Sequence, residues 1–298
     1  MTQPTDVVPV IAESRRGRSP RAKLLRLARE TPLGAAAAVI VAALFVVAAI
    51  GPLVTPYDPN QNSAGKRLSP PSSQHLAGTD NLGRDVFSRT IAGARISVVV
   101  GFGAVAIGMI AASLIGVLSG YFGGAVDTVI QRFVDAYMAF PNLLLLMTVV
   151  AVLGPGIPQL IVALGMSSAL GSSRVLRSAT LALKENQHIE AARAIGAGHT
   201  RIIARHILPN IFAPLMILAT GGLGTAILAE ASLSFLGFGV PPPDASWGNM
   251  MTGYGRSVLY LAPWMMLAPG IALSLTVFGF NILGDSLRDL LDPRLRGR

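Results

Sequence analysis

Between Asn186 and Pro209 the sequence reads NQHIEAARAIGAGHTRIIARHILP, with one carboxylate, three histidines and three arginines in a chain that is otherwise oily. The chemistry open to these side chains is limited. His188, His199 and His206 would bind a metal only if they converged with further ligands, and the fourth histidine, His75, lies far away in the chain. Solvated or capping roles suit all four better. The chain has no cysteine, so thiol catalysis and thiolate metal sites are excluded. It carries no G-x-S-x-G nucleophile turn. It also lacks a G-x-x-x-x-G-K-[ST] phosphate loop; its one Gly-Lys pair, Gly65-Lys66, has no upstream glycine at the required spacing. Nothing here binds ATP in that way, and recognition is a better reading than catalysis. A second ionisable residue stands out for its setting. Glu230 interrupts the apolar ILAEASLSF, and an acid inside a membrane-length run is a functional candidate by default, as a gate or as an interface group. A structural hydrogen bond between helices is the alternative, and the residues alone leave both open.

The polar stretch must be held by short helices. Asn186 suits an N-cap, and Glu190 then lies near the positive end of the helix that follows. Ile189, Ala192 and Ile195 recur at helical spacing as a narrow apolar stripe. Ala191, Ala192 and Ala194 are small enough to let another surface approach. Gly196 and Gly198 are expected to end the helix, because glycine tolerates the left-handed terminal position. A second helix, TRIIARHI, then leads to Pro209, which is expected in the first turn of the next spanning helix. Connections between helices usually take about 2–8 residues. The segment 174–209 is far longer, and a docking element accounts for that length.

Composition supplies the frame. Of the 298 residues 52% are apolar and 13% charged, against about 25% charged in soluble domains. A helix needs about 20 apolar residues to cross the hydrocarbon core. Residues 33–54, 96–126 and 206–229 each supply one run, and 257–284 another. The run 136–173 is too long for one crossing, and GPGIP at 154–158 divides it by a tight turn. Spans of this length are helical. The expected fold is an all-α polytopic membrane protein with six transmembrane helices. An even number places both ends of the sequence on one side. Of the 24 Lys and Arg, 18 fall on the side that carries the polar segment, which the positive-inside rule assigns to the cytoplasm. The net charge of +9 therefore reflects orientation rather than nucleic acid; the basic tail reads as a solvated segment that fixes orientation, with contact to anionic membrane lipid as the alternative. Arg84, Arg89 and Arg95 crowd the opposite end of the second span. The resulting division is a basic cytoplasmic tail (1–32) containing SRRGRSPRAKLLRLARE, a first span (33–54) and an extracytoplasmic loop with an interfacial helix (55–95). A core of five spans (96–288) includes the polar segment, and a cytoplasmic tail (289–298) follows. In the loop, Leu82, Val86 and Ile91 are expected to form one apolar stripe of that interfacial helix. Trp247 in GVPPPDASWG suits a membrane-interface anchor or a protein contact.

EAARAIGAGHTRIIARHILP resembles the EAA signature of binding-protein-dependent ABC importer permeases: Glu-Ala-Ala, three residues, Gly, nine residues, Ile, one residue, Leu-Pro. Glu190, Ala191, Ala192, Gly196, Leu208 and Pro209 match; His206 holds the isoleucine position, with Ile207 one place later. GAGHT departs from relatives that carry Ser or Asp after Gly-Ala. Further matches run along the chain in order: GTDNLGRDVFSRTIAGARIS, GYFGG, AFPNLLL, ILAEASLSFLGFG, SWG and LGDSLRDLLDPRLR. Together they resemble the C-type permease of the dipeptide, oligopeptide and nickel importers.

That resemblance implies the MetI-like (type I ABC importer) permease fold in the cytoplasmic membrane. It implies a non-catalytic subunit that binds no cofactor itself, with ATP and Mg carried by separate ATPase subunits. The other implied partners are a second homologous permease and an extracytoplasmic substrate-binding protein. It makes Glu190, Ala191, Ala192, Ile195, Gly196, Ala197, Gly198, His199 and Arg201 the segment that couples ATP hydrolysis to opening of the path. Peptides head the implied substrates, with nickel chelates, glutathione and haem as alternatives. An ion-coupled secondary transporter would show internal repeats and mid-membrane ion ligands, and the sequence has neither.

Overall fold

The computed structural model describes residues 32–252 and 259–291; both terminal basic segments and the beginning of the last expected span lie outside them. Among the described residues every element longer than an isolated bridge is helical. They are α1 (Pro32–Val54), α2 (Val86–Phe122), α3 (Gly124–Met138), α4 (Asn142–Leu153) and α5 (Ile157–Lys184). Then follow α6 (Gln187–Ala194), α7 (His199–Ile202), a π turn (Ile203–Ile207), α8 (Phe212–Phe235), α9 (Trp247–Met250) and α10 (Trp264–Leu291). Five helices are long and apolar enough to cross a bilayer: α1, α2, α5, α8 and α10. A sixth crossing exists if α3 and α4 count as one broken span, since they meet at 93°.

That break replaces the straight third span expected from residue 136. At its start Gly123 and Gly124 adopt φ of +67° and +54°, a left-handed pair that only glycine accepts readily, so α2 stops and α3 sets off in a new direction. At its middle Pro141 lacks an amide hydrogen and disfavours helical geometry in the residue before it, which separates α3 from α4. With 12 residues α4 is about 18 Å long, short of the roughly 30 Å hydrocarbon layer.

The 37-residue α2 is the axis of the fold. At about 55 Å it outruns the bilayer at both ends. A stripe of small residues at every fourth position, Ala104, Gly108, Ala112, Gly116 and Gly120, lets α5 lie almost backbone to backbone along it. α5 answers with Gly165, Ala169 and Ser173 at the same spacing. Around this pair, Leu44 of α1, Met109 of α2, Ile227 of α8 and Phe280 of α10 form one apolar core. Val100, Leu146, Leu160 and Leu233 form another, which brings in α4.

At the end of the bundle away from residues 184–211, loops fold back on the start of α2. The expected interfacial helix is instead the first turns of α2 itself. Asp85 caps it by accepting from the Ser88 amide at 2.7 Å, and Leu82 lies in the turn before it, apart from the helical Val86 and Ile91. Asp85 also accepts from His75, Nδ1 to Oδ1 2.9 Å, and Tyr57 stacks on the imidazole at 4.8 Å. His75 is therefore buried and paired rather than solvated or capping. Trp247 differs from its expected role too. Only 1% of it is exposed, its Nε1 donates to the Thr90 carbonyl at 2.8 Å, and its ring fills the space beside Gly93. It is a core pin between α9 and α2, not an interface anchor. The three crowded arginines find separate uses. Arg84 pairs with Asp80 at 2.6 Å, while Arg89 is buried and donates to the carbonyls of Pro59 at 2.8 Å and Pro243 at 3.4 Å; Arg95 is exposed.

Candidate functional site

The polar segment is a two-part hairpin folded against the end of α2. Asn186 occupies the N-cap position of α6 with extended backbone, though its side chain makes no capping bond. α6 ends in a Schellman motif. The Gly196 amide donates to the Arg193 carbonyl at 2.9 Å and the Ala197 amide to the Ala192 carbonyl at 3.0 Å, with Gly196 at φ +81°. Gly198 does not share that geometry; at φ −68° it is the extended N-cap residue of α7. α7 widens into the π turn, where the Leu208 amide reaches back to Ile203 at 2.9 Å. Pro209 cannot donate the next bond, so the chain turns there. α8 begins only at Phe212, leaving Pro209 ahead of the helix rather than in its first turn.

The hairpin has two unlike faces. Inward, Ile189, Ile202, Ile207 and Ile211 pack on Val117 and Tyr121 of α2, and Ala192 is buried beside them. Outward, Glu190, Ala191, Arg193, Ala194, Gly196, Gly198, His199 and Arg201 are exposed, and Ala197 is half-buried. The expected stripe of Ile189, Ala192 and Ile195 is divided between these faces. Ile195 is the helix C-cap, where the backbone leaves helical geometry, and its side chain is 85% exposed. A methyl group built on Gly196 or Gly198 would meet nothing within 4 Å. The outer face is thus charged at its rim, open over its small residues, and carries one projecting isoleucine.

Behind the hairpin a polar network ties three helices together. Asp127 of α3 accepts from Arg177 of α5, Nε to Oδ1 2.6 Å and through a second shorter contact, and from Ser119 of α2. Gln131 donates to the Ser119 hydroxyl at 3.0 Å. Asp135 and Arg174 form a second pair between α3 and α5. Sequence reading missed this network and missed Tyr121. The helical spacing of four and three residues between 173, 177 and 180 opposite the α2 stripe, and Asp127 just after the double glycine, were the available signals.

Glu230 is separate from the hairpin. It is wholly buried near the far end of α8, where Oε1 accepts from the Ser234 hydroxyl at 2.7 Å and Ser234 accepts from the Val240 amide at 3.2 Å. Ser246 also lies close enough to interact with the carboxyl group. Within this chain these contacts lie in the knot between α8 and the loop to α9, and the buried Oε2 has no hydrogen-bond partner among the described residues. Among the described residues no ion pair involves it, and no group of three His, Asp or Glu could hold a metal. Among the small residues of α8, Gly224 abuts Asn281 of α10, whereas a methyl group on Gly221 would meet nothing within 4 Å.

A cleft of about 450 Å³ opens between α2, the α3–α4 bend, α5 and α8. Its polar lining consists of Tyr137, Asn142, Ser167, Ser168, Ser172 and Thr225, and among the described residues no charged side chain lines it. Gly171 borders it with space beyond its α-carbon.

The chain matches known proteins along nearly its whole length. The family described as "Binding-protein-dependent transport system inner membrane component" matches residues 104–297. The "N-terminal TM domain of oligopeptide transport permease C" matches residues 19–71. The dipeptide transport system permease protein DppC of Alkalihalophilus pseudofirmus is 39% identical over 278 residues, 93% of this chain and 91% of that protein. The glutathione transport system permease protein GsiD of Escherichia coli is 42% identical over 281 residues, 94% of this chain and 92% of the relative. Among solved structures, an inward-facing MetNI methionine ABC transporter superposes with a TM-score of 0.50 at 24% identity. It covers 68% of this chain and 93% of the compared chain, a likeness of fold.

Proposed function

Because the chain belongs to the binding-protein-dependent transport system inner membrane components, the permease subunits of ABC importers, we propose that it carries short peptides across the membrane as one of two paired permeases. It is a multi-pass inner-membrane protein and a transport component rather than an enzyme. The observation that carries the reading is the hairpin of α6 and α7, buried on its inner face and open on its outer one. A loop that merely connects two spans has no need of a packed inner face and a presented outer face. In this reading Glu190, Ala191, Ala192, Ile195, Gly196, Ala197, Gly198, His199 and Arg201 form the surface that enters a groove on a separate ATPase subunit. The excess of Lys and Arg on the hairpin side supports a cytoplasmic position for that side and, with an even number of crossings, for both ends of the sequence. ATP and Mg belong to the ATPase subunits. An extracytoplasmic binding protein delivers the substrate to the loops around Arg84 and Trp247.

Two features support the peptide class. Relatives named for dipeptide and for glutathione transport share one cargo chemistry, short chains of amide bonds ending in carboxylates. The uncharged cleft lined by Ser167, Ser168, Ser172 and Thr225 offers hydroxyls to such amides without a fixed charge to hold them. It serves as this subunit's half of the path, closed on its open side by the second permease. The test is uptake of a labelled dipeptide by proteoliposomes containing the whole complex, with ATP enclosed and the binding protein outside. Uptake that needs ATP and persists without any ion gradient is expected; uptake driven by an ion gradient without ATP would overturn the proposal.

A further inference from the structure

Resting on that coupling role, we propose that Tyr121 is the positioning residue through which movement of the hairpin reaches the spanning helices α2 and α5. Tyr121 is in the last turn of α2 and is almost fully buried. One side chain there meets three elements. Its hydroxyl is 2.8 Å from His199 Nδ1 at the start of α7. Its ring has the Arg193 guanidinium of α6 at 5.7 Å and the Lys184 ammonium of α5 at 6.0 Å, both within cation–π range. Phe122 packs edge-on against it and also flanks His199.

These contacts differ in kind from the isoleucine packing around them. Apolar contact is non-directional and lets surfaces slide, whereas a hydrogen bond weakens steeply once its angle opens. The Tyr121–His199 bond therefore fixes the register of the hairpin on α2, while Ile189 and Ile202 supply adhesion. One residue away, Gly120 lies so close to α5 that an added methyl group would be 2.8 Å from the Arg177 carbonyl. At this level α2 and α5 move as one body, and what displaces His199 displaces both. His199 is the sole outer-face residue in direct hydrogen-bond contact with α2 among the described residues.

The experiment uses the complete importer in proteoliposomes with a tritiated dipeptide, and reads the number of ATP molecules hydrolysed per dipeptide imported. Tyr121→Phe and His199→Leu each remove the bond, and each raises that ratio about two- to tenfold, the factor equivalent to the net contribution of one hydrogen bond. The double variant rises no further than either single one. His199→Asn, whose amide places a polar atom near the Nδ1 position, brings the ratio back below that of His199→Leu. An unchanged ratio in Tyr121→Phe, or a proportional fall of hydrolysis and uptake, would overturn the positioning role. The coupling reading fails separately, and visibly, if the wild-type complex shows no hydrolysis stimulated by the loaded binding protein.

Discussion

Gly116 of α2 faces Ser173 of α5 so closely that a methyl group on Gly116 would lie 2.6 Å from the Ser173 carbonyl oxygen. The obstacle is backbone and cannot swing aside. Gly116→Leu is therefore expected to separate the two central helices at a cost above the roughly 1–3 kcal/mol of ordinary overpacking. Thermal unfolding in detergent should show a lowered Tm and poor recovery. Gly171→Leu, built into open space beside the cleft, should unfold like the wild type and yet reduce uptake, because it fills the path. Equal stability of both variants would contradict the packing described for α2 and α5.

Trp247 tests the other end of α2. Trp247→Phe keeps most of the ring volume but removes the indole donor to the Thr90 carbonyl, a net loss of about 0.5–1.5 kcal/mol for one hydrogen bond. Trp247→Ala adds a cavity and should cost about 3–5 kcal/mol. The expected order of Tm is wild type, Phe, Ala. A Trp247→Ala protein as stable as the wild type would mean that the indole is an exposed anchor after all.

Much of this was legible in the sequence, and the parts that were not share a cause. Runs of apolar residues mark spans because the bilayer sets their length, and the Gly196 stop is visible because one residue type tolerates its backbone angles. The break of the third span was harder to see. Its apolar composition passes straight through Pro141, and only the fold decides whether a proline kinks a helix or ends it. Ile195 was assigned to the inner stripe by helical periodicity, but periodicity ceases at the cap, where the backbone leaves the helix. The partners of Tyr121, His75 and Trp247 lie 78, 10 and 157 residues away respectively, so no local pattern reveals the last two-body contact or the first. The small-residue stripe from Ala104 to Gly120 has a spacing of four that the sequence displays, but only the fold shows that α5 lies against it.

Glu230 separates a gate from a pin. Its carboxyl group accepts from Ser234 within the chain, and Glu230→Gln retains an acceptor there. Uptake by Glu230→Gln should match the wild type, whereas Glu230→Leu strands the Ser234 hydroxyl and should destabilise by about 1–3 kcal/mol. Loss of uptake in Glu230→Gln, at unchanged Tm, would instead assign a working charge to this position.

At Gly196 strain and space can be told apart. A side chain there meets nothing within 4 Å, but φ of +81° is unfavourable for a β-branched residue by about 1–2 kcal/mol or more. Gly196→Val should insert into the membrane normally and lose uptake as the hairpin's turn reshapes. Gly196→Asn, which accepts left-handed geometry more readily, should retain a large part of it. Full uptake by Gly196→Val would count against a hairpin whose shape matters.

The central claim is that the outer face of α6 and α7 rests on an ATPase subunit. The chain has no cysteine, so Ile195→Cys gives this subunit a single reactive site on an exposed part of that face. In inverted membrane vesicles carrying the whole complex, a short reagent that is thiol-directed at one end and photoreactive at the other should join Cys at this position to the ATPase subunit, with a yield that changes when ATP is bound. A cross-link to the extracytoplasmic binding protein, or none to the ATPase under any nucleotide condition, would contradict the account.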